Sequence, residues 1–168
     1  MLTEKKLVEL YRLHGKELFI YIFRFVNSQE TSEDILHDCF ENIIKQSRKN
    51  EIDETNLRAY LYRTAHNLCI NFLKRHKKIE FTQLDEASTL AEKESSHPLE
   101  LEELNKKIYE LLNTLDDTSK SIFILKKDSK MTFEEIAVQL EMSERSIRRK
   151  MNKVVEFLEE NLKKSGFF

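Results

Sequence analysis

TFEEIAVQLEMSERSIRRKMNKVVEFL, residues 132–158, is the stretch from which the rest of the chain is most easily understood. Thr132 followed by Glu135 is a capping box, in which each side chain satisfies a backbone donor that the first helical turn leaves open. A short helix with Ile136, Ala137 and Leu140 inward is expected after it. Ser143 then caps a longer helix with Ile147, Met151, Val154 and Leu158 inward. Two helices joined by a tight turn form a helix-turn-helix. The second of them holds Arg145, Arg148, Arg149, Lys150 and Lys153 in nine positions without a carboxylate, although the chain carries a net charge of −2.

Positive residues along a helix are ordinarily a solvated face. The helix-turn-helix spacing changes that weighting, because Arg145, Arg148, Arg149 and Asn152 are donors placed where a recognition helix meets base edges and phosphates in a major groove. Lys153, further along, is better placed for phosphate.

Working outward, two glycines, one proline and no tryptophan in 168 residues favour an all-α fold, since a sheet protein of this size needs more turn residues. Leu7, Leu10, Leu18, Ile22 and Phe25 recur near a 3.6 period and predict a long first helix. The pairs Ile35/Leu36, Cys39/Phe40 and Ile43/Ile44 predict a second, capped by Thr31 or Ser32, whose opposite face carries Asp34, Asp38 and Glu41. An acidic helix face needs no explanation beyond solubility. A third helix is expected from about Leu57 to Arg75, with Leu57, Leu61, Ala65, Leu68 and Phe72 inside.

Residues 57–78 contain six Lys or Arg and no Asp or Glu. Arg63, Asn67, Lys74 and Lys77 share a face there, with Tyr60, Tyr62 and His66 nearby. Cations beside aromatic rings suit a surface that tracks a nucleic-acid backbone and stacks unpaired bases, although Tyr60 also fits a core position.

The acidic, Ser- and Thr-rich stretch IEFTQLDEASTLAEKESSHPLE has no sustained period and reads as a linker, mobile unless a partner orders it. Pro98 suits the first turn of the next helix, with Leu101, Leu104, Ile108, Leu111 and Leu115 as its buried stripe. Asp116 or Asp117 caps a short helix holding Ile122, Phe123 and Leu125. The expected organisation is therefore two small helical domains, 1–78 and 99–168, joined by a flexible linker over 79–98.

Cys39 and Cys69 are far apart and neither belongs to a Cys-x-x-Cys pair, so both read as small apolar residues in a reducing cytoplasm. His66 and Cys69 share a helix face, but no further ligands are spaced to complete a metal site. Charges thread the N-terminal MLTEKKLVEL, leaving neither a signal-peptide core nor a membrane span. With no phosphate-cradling glycine loop, nucleophile motif or metal set, neither an enzyme nor a cofactor is expected.

SEDILHDCFENII, then LRAYLYRTAHNLCINFLKR, then the linker, then LNTLDDTSKSIFILKKDSKMTFEEIAVQLEMSERSIRRKMNKVVEFL resembles, in that order, the bacterial extracytoplasmic-function sigma factors. The resemblance covers nearly the whole chain. It implies that Asp34, His37, Asp38 and Glu41 lie on the surface that grips the clamp helices of the largest subunit of core RNA polymerase. It implies that Tyr60, Arg63, His66, Asn67, Asn71 and Lys74 belong to the part that opens and reads the −10 promoter element. The −35 element falls to the helix-turn-helix, at Arg145, Arg148, Arg149, Lys150, Asn152 and Lys153. An anti-sigma factor is a further partner that such a protein can have, and promoter DNA is the common target.

Four positions depart from the family pattern: His37 stands for Gln, Tyr60 for Trp, His66 for Arg, and Glu141 for a turn Gly. Held at positive φ, Glu141 is expected to cost about 1 kcal/mol. An autonomous helix-turn-helix regulator is the alternative. It would explain residues 132–158 but leave the basic third helix and the acidic linker without a role. A helical adaptor with no nucleic-acid role would leave both basic helices as solvated faces.

Overall fold

The computed structural model describes residues 2–49, 56–76 and 99–168. Among these the chain is all-α, with seven helices: α1 Glu4–Val26, α2 Gln29–Arg48, α3 Leu57–Arg75, α4 Leu99–Leu112, α5 Asp117–Lys127, α6 Phe133–Leu140 and α7 Glu144–Lys164. The helices fall into two compact units, α1 to α3 and α4 to α7. The expected linker, together with Lys77 and Pro98, lies outside the described residues.

In the first unit α1, α2 and α3 each pack on the other two. The C-terminal half of α1 is the post around which the others are laid: Leu18 and every residue from Tyr21 to Val26 are buried. The sequence FIYIFRFV is apolar nearly all round, which is the mark of a helix end enclosed on every side. Ile35, Leu36, Cys39 and Ile43 of α2 and Leu57, Leu61, Ala65 and Cys69 of α3 close over it. Each fully buried Leu, Ile or Phe contributes about 1.5–3 kcal/mol, so this small unit depends on every one of them.

Two expectations for this unit need correction. α2 begins at Gln29, not after Thr31, because Ser28 takes the cap, its Oγ accepting from Thr31 N–H at 3.3 Å. Ser32 is then inside the helix and buried, its hydroxyl donating to Ser28 O at 2.6 Å. Tyr62 belongs to the core and not to the basic face, with its ring edge-on to Tyr21 at 5.5 Å between centroids and no exposed surface.

In the second unit Leu112, Ile122, Ile124, Leu125, Ile136 and Ile147 are wholly buried. Asp116 caps α5 by accepting from Ser119 N–H at 3.0 Å and Ser119 Oγ–H at 2.7 Å. The buried line of α4 differs from the expected stripe: Tyr109 and Leu112 are buried, Leu104, Ile108, Leu111 and Leu115 are half-buried, and Leu101 is exposed. The reason is Tyr109. Its hydroxyl donates to Asp128 at 2.6 Å while its ring lies under Lys127, so the ring can be enclosed only with α4 rotated to bring that partner within reach.

The capping box is formed as expected, with Glu135 N–H donating to Thr132 Oγ1 at 3.1 Å and Thr132 N–H donating to Glu135 Oε2 at 2.7 Å. α6 ends at Glu141, which adopts the left-handed conformation at φ 54°, ψ 44°. Met142 N–H donates to Ala137 O at 2.9 Å and Glu141 N–H to Val138 O at 3.3 Å, the paired bonds of a Schellman ending. Ser143 then caps α7 through Ser146 N–H. This three-residue turn sets the angle between α6 and α7.

A glycine reaches the left-handed region without the Cβ penalty that Glu141 bears. Glu141→Gly should therefore stabilise the second unit by roughly 0.5–1 kcal/mol in urea unfolding. Equal or lower stability of the variant would mean that side-chain contacts of Glu141 offset the backbone strain.

Candidate nucleic-acid and polymerase interface

The apolar residues of α7 fix which way its charges point. Ile147, Val154 and Leu158 are buried, so the helical period turns Arg145, Arg149, Asn152 and Lys153 to the opposite side, where all four are exposed. Lys150 departs from this set. It lies beside the inward line, half-buried, and close enough to Asp116 for its charge to act on that carboxyl. Burial works to raise the Asp116 pKa, but the hydrogen bonds from Ser119 and the Lys150 charge outweigh it and leave it lowered.

Arg148 is exposed and also held. Glu144, one turn earlier, accepts from Arg148 Nε at 2.9 Å and Nη2 at 2.6 Å, both on one carboxylate oxygen. The guanidinium carbon lies 4.5 Å from the centroid of the Phe133 ring. An exposed i,i+4 pair is worth about 0.3–0.5 kcal/mol and an exposed cation–π contact about 0.5–1. Those sums are no larger than the roughly 1.5–2 kcal/mol of rotamer freedom an arginine loses when fixed. The contacts therefore orient Arg148 more than they stabilise the fold.

On α3, Tyr60, Arg63, Asn67, Asn71 and Lys74 recur at spacings of three and four and share one face. Asn67, Asn71 and Lys74 are exposed, while Tyr60 and Arg63 are half-buried. His66 does not join them. It sits on the flank, its Nδ1 3.0 Å from the Tyr21 hydroxyl and its ring edge-on to Phe25, which ties it to the aromatic core. At the C-terminal end of the helix Phe72 and His76 stack, with centroids 4.4 Å apart and planes 19° from parallel.

On α2, Asp34, His37 and Asp38 are exposed and Glu41 is half-buried. Glu41 is engaged on both oxygens, by His37 Nε2 at 3.2 Å and Lys45 Nζ at 3.1 Å. The Lys45 hydrogen bond, with the charge behind it, lowers its pKa. Asp34 and Asp38, one turn apart, are exposed carboxylates on one side of α2. Tyr11 of α1 packs on Phe40 at 5.1 Å between centroids and borders the same region with an exposed ring. The thiol of Cys39, beneath it, is pushed up to about 12 by burial and then by the Asp38 charge, which leaves it an unreactive packing group.

Reasoning from sequence missed the hold on Arg148. The Glu144 contact was available from its i,i+4 spacing, whereas Phe133 reaches Arg148 only across the turn and leaves no sequence signal. No helix among the described residues is long and apolar enough to cross a membrane.

A three-helix unit with a basic face on α3, followed by a unit that presents cations outward from a helix-turn-helix, defines a DNA-binding transcription factor of two parts. Residues 10–79 match Sigma-70 region 2, and residues 105–158 match Sigma-70, region 4. The RNA polymerase sigma factor YlaC of Bacillus subtilis (strain 168) is 26% identical over 160 residues, covering 94% of this chain and 92% of that protein. A sigma factor RpoE from Bartonella quintana, solved in complex with the anti-sigma factor NepR, shares the fold, with a TM-score of 0.70 at 16% identity over 95% of this chain and 98% of that one. The chain belongs to the sigma-70 family, as an RNA polymerase sigma factor of the extracytoplasmic-function type. It directs promoter-specific transcription initiation. Region 2 in the same chain leaves the autonomous-regulator reading with no account of residues 10–79.

Proposed function

We propose that the chain acts as a polymerase subunit through three faces that its helices turn outward. The carboxylates Asp34 and Asp38 of α2, flanked by His37 and the paired Glu41, dock on the clamp helices of the largest polymerase subunit. Tyr60, Arg63, Asn67, Asn71 and Lys74 of α3 follow the −10 strand as it leaves the duplex, with His66 holding the helix in place from the side. Arg145, Arg148, Arg149, Asn152 and Lys153 of α7 meet the −35 element, with Lys150 half-buried beside them.

The observation that carries this reading is the segregation of charge by direction. A chain with net charge −2 presents outward-facing cations on α3 and α7 and carboxylates on α2. An autonomous DNA binder of this size would carry a larger positive excess, since phosphate neutralisation supplies most non-specific affinity. The polymerase supplies the electrostatics the free chain lacks. A protein that covered the α2 face would keep the chain off the polymerase, one that covered α3 or α7 would keep it off the promoter, and an anti-sigma factor is the kind of partner that does so.

Reversal of Asp34 and Asp38 to Lys should abolish co-purification with core polymerase at unchanged helicity, because exposed charges add only about 0–1 kcal/mol to stability. Unchanged co-purification would return this face to a role in solubility.

Asn67→Ala combined with Lys74→Ala should suppress promoter opening while duplex recognition through α7 persists. Permanganate footprinting reports unpaired thymines directly. Normal opening by the double variant would remove α3 from the reading.

A further inference from the structure

Arg148 is oriented by two neighbours within its own unit. Glu144 takes its Nε–H and one Nη2–H on a single oxygen, and the Phe133 ring lies against the guanidinium at 4.5 Å. The ring is itself anchored. Lys126 Nζ lies 4.6 Å from the same centroid and donates to Met131 O at 3.2 Å, and Phe133 is the first residue of a helix whose start is locked by the capping box.

A guanidinium has five N–H donors. Glu144 occupies two along the Nε edge, which leaves the Nη1–Nη2 edge free with its two parallel donors. Two parallel donors match the O6 and N7 acceptors on the major-groove edge of guanine, and that match tolerates little misalignment.

We propose that Glu144 and Phe133 are positioning residues that aim the free edge of Arg148 at the guanine of one G·C pair in the −35 element, sharpening sequence preference without touching a base. The inference rests on the reading of α7 as the −35 reader. Its physical signature separates aim from affinity. Glu144 is a carboxylate on the outward side of a DNA-facing helix, so it weakens attraction to phosphate at every sequence while it sharpens the choice at one base pair.

The test is transcription from a randomised −35 library by reconstituted holoenzyme. Arg148→Ala should lower the preference for G·C at one base pair by about tenfold. Glu144→Gln and Phe133→Leu should each lower it by about threefold at that same pair, and neither should change it further in the Arg148→Ala background. Phe133→Tyr keeps the ring face and should keep the wild-type preference. Glu144→Gln, with both side chains exposed and the fold not dependent on the pair, should retain or raise output from mismatched sites. Wild-type preference in Glu144→Gln and Phe133→Leu, alongside its loss in Arg148→Ala, would overturn the positioning role and leave the −35 reading intact. Wild-type preference in Arg148→Ala would overturn both. An equal loss at every position in Glu144→Gln would also overturn the positioning role.

Discussion

An amphipathic helix can fill a core only by giving one whole side to it, and in units of three or four helices there is no second layer to hide what remains. The exposed charged residues of α2, α3 and α7 are therefore directed outward by the apolar residues between them. Ile147, Val154 and Leu158 decide where Arg145 and Arg149 point, as Leu61, Ala65 and Cys69 decide where Asn67 and Lys74 point. Function in this chain is the reverse side of its packing.

That dependence explains why most of the architecture was legible in the sequence. The bounds of α3, the capping box of α6 and the Ser143 cap of α7 all follow from local rules, and all three stand in the structure. Glu141, at a position typical of glycine, adopts a positive φ. What the pattern left undetermined has a shared cause. Tyr62, Tyr109 and His66 are side chains with an apolar body and a polar tip, and a pattern of apolar and polar letters cannot say which end governs. Each is settled by a partner distant in sequence: Tyr21 for Tyr62 and His66, Asp128 for Tyr109. Lys150 is half-buried, near enough to Asp116 for its charge to act there, which spacing along its own helix does not indicate. The start of α2 was a choice among hydroxyl residues, and Ser28 won it.

The candidate site was legible as a set of faces and less so as a geometry. Spacing alone placed five of six residues on the outward side of α7, but the fixed plane of Arg148 depends on Phe133 across the turn. On the proposed reading, in which the chain acts on DNA as a polymerase subunit, it needs little affinity of its own. It needs its donors held at the right angle when the polymerase brings them to the promoter.

Dependence on the polymerase is the central claim, and duplex binding measured with and without core polymerase tests it most directly. The free chain should bind a promoter duplex weakly, with steep loss on added salt and no preference for the −35 sequence, while the holoenzyme binds the same duplex tightly and selectively. Tight, sequence-selective binding by the free chain at physiological salt would contradict the account.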